Sequence, residues 1–160
     1  MKVVIAAIGH LKSGPEKEMA AAYEQRIPSL GRKVGISGLS ISDWTEARAS
    51  DVKLRMAEEA KLLWSVVPEA CPVFALDERG EVMPSSSFAK LLEKQAAAGT
   101  KQLTFMIGGP DGHSPETRIK AMKTLSFGPM TWPHRMVRVM LLEQIYRAVT
   151  ILVNHPYHRA

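Results

Sequence analysis

Four short apolar runs, KVVIAAI (2–8), VGISGLSI (34–41), PVFAL (72–76) and LTFMI (103–107), are each followed by a stretch that reads as helix. That alternation constrains the fold more than any other feature of the chain. Neighbouring parallel strands need a crossover of a dozen or more residues between them, and the spacing of the runs supplies one each time. A fifth run, TLSF (124–127), precedes a last helix. The pattern predicts an α/β fold, a mostly parallel sheet flanked by helices. With 160 residues, 46% of them hydrophobic, the chain has the size of one domain spanning 1–160.

Local signals place the helices. The first runs from about Pro15 to Ile27. Asp43 or Thr45 is expected to cap a long second helix reaching about Val67, with Leu54, Ala57, Ala60, Lys61 and Trp64 on its packing face. The strand at 72–76 closes at Asp77 and a turn around Gly80; the serines at 85–87 then cap a helix that stops at Gly99. Ser114 is the expected N-cap and Pro115 the first residue of the next helix. The last helix, from about Pro133, is apolar on more than one face (Met136, Val137, Val139, Met140, Leu141, Leu142, Ile145, Val149, Ile151). Such a helix must be covered on both sides, so a homodimer is expected; a central core helix is the alternative.

Composition removes several classes. No apolar run reaches the ~18 to 20 residues of a membrane span, and MKVVIAAIGH has no signal-peptide cleavage site, so a cytoplasmic protein without membrane contact is expected. Cys71 stands alone, which removes an intramolecular disulfide and a Cys-based zinc cluster and leaves it as a small buried hydrophobe. Residues 118–160 hold seven Lys or Arg (Arg118, Lys120, Lys123, Arg135, Arg138, Arg147, Arg159) against the single acid Glu143. A polyanion such as nucleic acid would be held there, unless this is only a solvated basic face.

Three apolar runs end in turns: LDERG (76–80), IGGPDG (107–112) and FGPMTWPH (127–134). In a parallel sheet the C-terminal strand edges line one crevice, the default place for a small ligand. No Lys-Ser or Lys-Thr follows the glycines as a Walker A loop requires, and GxGxxG is absent. With glycines, carbonyls and apolar groups but few charges, the turns suit adenine and ribose better than a polyphosphate, and Met130 or Trp132 can pack on a flat ring. There is no GxSxG elbow for a nucleophilic serine. In the tail NHPYHRA, His155 and His158 are three apart without a third ligand or a carboxylate, so no metal is expected. Candidates for catalysis are His134, Arg135, Arg138, Arg147, Tyr157 and His158. Structural alternatives are a turn cap for His134, an ion pair with Glu143 for Arg147, and dimer packing for Tyr157.

LDERG with its following serines and Phe88, IGGPDG, MTWPHRMVRVMLLEQIYRA and the terminal NHPYHR together resemble the ribosomal RNA large-subunit methyltransferase H family of the SPOUT class. The resemblance spans the whole chain; Val34 to Val67 carries little of it. It implies an α/β fold knotted near the C-terminus, with S-adenosylmethionine bound in the knotted region and N3 of a pseudouridine in 23S rRNA as the methyl acceptor, on the ribosome. It implies cofactor contacts from Leu76, Gly108, Gly109, Gly128, Pro129, Met130, Thr131, Trp132 and Pro133, although Pro129 and Trp132 differ from the family's commoner residues. It implies catalytic roles for His134, Arg147, Tyr157 and His158 and a homodimer in which one subunit's tail approaches the other's cofactor; from the basic segment, Arg135, Arg138 and Arg159 are the expected RNA contacts. The rival classes are a non-enzymatic RNA-binding or ribosome-assembly factor, for which the basic segment alone would suffice, and a metal-dependent nuclease.

Overall fold

A computed structural model describes residues 1–158; Arg159, expected to contact RNA, lies outside the described residues. The strands are β1 (Lys2–Ile8), β2 (Gly38–Trp44), β3 (Val73–Val82), β4 (Gln102–Ile107) and β5 (Lys123–Ser126). The helices are α1 (Pro15–Gly31), α2 (Val52–Trp64), α3 (Ser85–Ala97), α4 (Pro115–Lys120) and α5 (His134–Leu152). The sheet order is β2-β1-β4-β3-β5 with every pairing parallel.

The apolar runs are continuous because the inner strands are covered on both faces. Val3, Ile5, Ala7, Phe74, Leu103, Phe105 and Ile107 pack toward α1, α3 and α5. Their neighbours Ala6, Ile8, Val73, Ala75 and Met106 pack on the opposite side with Leu63 and Trp64 of α2. The period of two in side-chain direction thus assigns each residue of a run to one of two cores.

Several expected boundaries move. Val34, the expected start of the second strand, closes a 3-10 turn over Arg32–Val34, and β2 begins at Gly38 and ends at Trp44. Asp43 therefore lies inside β2, opposite Ala7, and neither it nor Thr45 caps a helix. The cap of α2 is Asp51, whose Oδ1 accepts the Leu54 N–H at 2.9 Å. The inward face of α2 is set by Glu59 and Leu63, whereas Leu54, expected to pack, is 51% exposed. No serine caps α3: Pro84 occupies the N-cap, and Ser85 Oγ donates to Gln144 Oε1 of α5 at 2.7 Å. The turn expected at Gly80 is an irregularity within a longer β3, where Leu76 and Glu81 both pair with Leu125. A Cβ on Gly80 would come 2.6 Å from the Leu125 carbonyl carbon, so only glycine allows β5 this close.

The last helix is covered by its own chain along one broad face. α5 lies against both α1 and α3, and Leu141, Leu142, Ile145, Ala148 and Val149 are sealed from solvent. Met136, Val137, Met140, Ile151 and Leu152 stay half-buried on the rest of its surface. Among the described residues no helix is long and apolar enough to cross a membrane.

Candidate active site

Parallel strands bring their C-terminal ends to one edge, where a cleft of about 520 Å³ opens between residues 76–79, 107–112 and 125–134. These are the three turns singled out in the sequence. Leu76, Gly108, Gly109, Gly128, Met130, Thr131, Trp132 and Pro133 line the cleft, but Pro129 is not in its wall. Met130 and Trp132 are 69% and 40% exposed, so apolar surface faces the opening. The turn after β5 is fixed by Ser126, whose Oγ accepts the Gly128 N–H at 3.0 Å.

Two of the three acids of the wall, Asp77 and Asp111, are already paired. Arg118 Nη1 lies 3.3 Å from Asp77 Oδ2 and also donates to the His113 carbonyl at 2.6 Å. Arg55 Nε donates to Asp111 Oδ2 at 2.7 Å, and the pair holds the Asp111 carboxyl below its ordinary range. His113, beneath the wall, has an Nε2 3.3 Å from the Met106 carbonyl, and burial pushes its imidazole toward the neutral form. What remains for a ligand is backbone, apolar side chains and few free charges.

Of the four catalytic candidates, His134 alone borders the cleft, with Nε2 3.6 Å from Glu46 Oε1; burial lowers its pKa. Arg147 stands thirteen residues further along α5, about 20 Å away at 1.5 Å per residue. There Glu143 Oε1 accepts Arg147 Nε at 2.9 Å and the Tyr157 hydroxyl at 3.1 Å, with Tyr23 Oη 3.4 Å from Tyr157 Oη. The ion pair weighed against a catalytic Arg147 is therefore present. Tyr157 packs edge-on against Tyr146 at 4.8 Å between ring centres, so the tail is docked on its own chain. Burial, then Tyr23 and Glu143, push the Tyr157 phenol well above its ordinary pKa and keep it a hydrogen-bond donor. His158 Nδ1 is buried without a hydrogen-bond partner among the described residues.

The family model described as Predicted SPOUT methyltransferase matches residues 1–158. The chain belongs to the SPOUT methyltransferase family. It is 52% identical over 160 residues, all of both chains, to the ribosomal RNA large subunit methyltransferase H of Rhodopseudomonas palustris strain BisA53. The protein of that name from Bradyrhizobium diazoefficiens is 51% identical over the same length. A probable methyltransferase from Bordetella pertussis Tohama I shares the fold, with a TM-score of 0.52 at 12% identity, covering 92% of this chain and 93% of that one.

Within this methyltransferase the basic segment is less free than its sequence suggests. Arg118 pairs with Asp77, Lys123 with Glu81, Arg138 with Asp43 and Arg147 with Glu143, while Lys120 Nζ sits 3.9 Å over the Trp64 ring. Arg138, expected at the RNA surface, is 3% exposed: Nη1 donates to Asp43 Oδ2 at 2.6 Å and Nη2 to the Gly9 carbonyl. It faces inward because position 138 falls on the buried stripe of α5, over the end of β1. The sequence could not show which acids folding would bring to these bases. Exposed bases on the cleft side instead follow strand ends: Lys12 after β1, Arg48 after β2, Arg79 within the β3 irregularity, and Arg135 at the start of α5. Arg55 and Glu59, which meet the glycine turn from behind, read in the sequence as solvated helix residues. Among the described residues no three His, Cys, Asp or Glu side chains converge as metal ligands.

Proposed function

We propose that this protein methylates N3 of a pseudouridine in 23S rRNA, acting on the ribosome in the cytoplasm and using S-adenosylmethionine. The observation that carries the reading is one cleft closed by three strand-end turns, two of its three acids paired, in a chain 52% identical along its full length to a ribosomal RNA large subunit methyltransferase H. The wall fits the cofactor. Backbone groups of Gly108–Gly109 and of residues 128–133 would hold it, with Leu76, Met130 and Trp132 against the adenine. When bound, S-adenosylmethionine supplies an electrophilic methyl group on a sulfonium.

The remaining task of the chain is positioning, which supplies most of the rate when nucleophile and electrophile are held in line. N3 of pseudouridine lies between two carbonyls, and its proton is more acidic than an ordinary amide's. The base leaves its stack to reach the cleft. His134, neutral through burial, borders the cleft where a uracil carbonyl would lie. Arg147 stands about 20 Å from its own cleft along α5, and Tyr157 is docked beside it on Glu143 and Tyr146, so these residues and His158 serve catalysis at the cleft of a second subunit. The reading therefore requires a homodimer, in which the partner's Tyr157 and the partner's His158 orient the base and the partner's His158 or solvent takes the N3 proton. Exposed Arg135 holds RNA phosphate; Arg138 does not.

The resemblance also implies a knot. Residues 126–131 run against the β3 irregularity, with Ser126 Oγ 3.2 Å from the Glu78 carbonyl and Thr131 Oγ1 donating to Glu78 Oε2 at 3.4 Å. Mass spectrometry of 23S rRNA fragments from ribosomes incubated with protein and S-adenosylmethionine tests the activity. A methyl increment on a single pseudouridine is the expected result. Calorimetry that finds no S-adenosylmethionine binding to the purified protein would sink the reading and leave a non-enzymatic RNA-binding factor.

A further inference from the structure

The glycine turn at 108–112 has two sides. One faces the cleft; the other rests on α2, through Arg55 and Glu59, one helical turn apart. Glu59 is 3% exposed. Its Oε1 accepts the Ala47 N–H at 3.1 Å, and its Oε2 has no hydrogen-bond partner among the described residues. The Gly109 backbone lies directly on this carboxylate: a Cβ there would be 2.9 Å from Oε2 and 3.0 Å from Oε1. Arg55 grips the same turn two residues on, with Nε and Nη2 at 2.7 Å and 3.1 Å from the two oxygens of Asp111. Its Nη1 donates to the carbonyls of Ala49 and Ser50 at 2.9 Å and 3.1 Å. The α2 pair thus ties the turn after β4 to the segment after β2.

We propose that Glu59 and Arg55 are positioning residues that fix the peptide planes of the 108–112 turn for cofactor binding. This rests on the methyltransferase reading and adds residues that do not touch the cleft. A buried carboxylate with an unpartnered oxygen is a poor choice for packing alone, because an apolar side chain would fill the space without desolvating a charge. A carboxylate does what an apolar group cannot: one oxygen accepts the Ala47 N–H while the other offers an acceptor to the Gly109 backbone. The Gly109 backbone lies against that unpartnered oxygen, and no cis peptide occurs among the described residues. Across a planar trans peptide, N–H and C=O point in opposite directions, so a Gly109 N–H held toward α2 directs the Gly108 carbonyl toward the cleft. That carbonyl is then a fixed acceptor for a ligand N–H. Asp111, neutralised by Arg55, keeps the turn's far end from swinging and its charge from the ligand.

Glu59→Gln separates positioning from packing. The amide keeps one oxygen for Ala47 but presents an N–H₂ where the Gly109 backbone meets an acceptor oxygen, so the turn must shift, while no charge remains to be desolvated. Titration calorimetry is expected to show S-adenosylmethionine affinity falling about tenfold with the thermal midpoint unchanged or raised. In methylation assays KM for the cofactor rises and kcat at saturation is retained. Arg55→Gln, which leaves the buried carboxylate intact, is expected to raise the same KM. Wild-type affinity in both variants would overturn the proposal, as would affinity lost only in proportion to a fallen midpoint. A wild-type protein that fails to bind S-adenosylmethionine would instead refute the functional reading on which this rests.

Discussion

Arg138→Ala is expected to damage the fold and not the affinity for RNA. The guanidinium is 3% exposed and donates to Asp43 and to the Gly9 carbonyl, so truncation leaves a carboxylate and a carbonyl facing a void. Breaking a buried pair from one side costs about 3 to 5 kcal/mol. Asp43 is 28% exposed and keeps His10 Nδ1 at 2.6 Å, so the low end, about 3 kcal/mol, applies here. For a chain of this size that lowers Tm by about 6 to 12 °C. The loss also depends on pH. Burial alone would raise the Asp43 carboxyl, but the bonds from Arg138 and His10 outweigh it and hold the folded-state pKa below 3.8. A depressed carboxylate pKa contributes stability above its unfolded value and loses it as pH falls through the folded one. Thermal melts from pH 7 down to pH 3 should therefore show wild type and Arg138→Ala converging toward the acid end. An unchanged midpoint, accompanied by weakened ribosome binding, would refute the buried placement and restore Arg138 to the RNA surface.

Phe105 stacks edge-on with Phe74 at 5.6 Å and tilted with Phe88 at 5.8 Å, so Phe105→Ala should cost about 3 to 5 kcal/mol in urea denaturation. Replacing Arg135 and Arg48 by Ala should leave Tm and cofactor affinity intact while lowering the salt dependence of ribosome binding, by about 0.7 to 0.9 in log–log slope for each phosphate no longer neutralised. Burial depresses the pKa of His113 below 6.5, so its contribution to stability is present above pH 6.5 and lost as pH falls through the folded value. His113→Gln should flatten that part of the stability profile, measured by melts between pH 7 and pH 4.5. Removing residues 155–160 should abolish methylation while preserving S-adenosylmethionine binding, measured on the same preparation.

The sheet was legible because buried parallel strands leave continuous apolar runs, and KVVIAAI and LTFMI are such runs. β2 was misplaced because it is an edge strand, half-buried along its length, so its sequence carries no strong alternation and Asp43 reads as a cap. The cleft was legible because each wall is a strand end followed by glycine or proline. The charge map was not, since Asp77, Glu81 and Asp43 meet their bases only after folding, from separations of 41, 42 and 95 residues. Glu59 was missed for the same reason: nothing local distinguishes a buried helix glutamate from its solvated neighbour Glu58.

The length of α5 has a genetic consequence. The helix places a cleft at its first turn and a tail beyond its last, so the two halves of the proposed site can be inactivated separately in one gene. Two alleles, one with Trp132 and Met130 removed and the other lacking the tail, would each make an inactive homodimer. Co-expressed, they would form a mixed dimer in which one intact cleft meets one intact tail. Two dead copies together would then methylate where neither does alone.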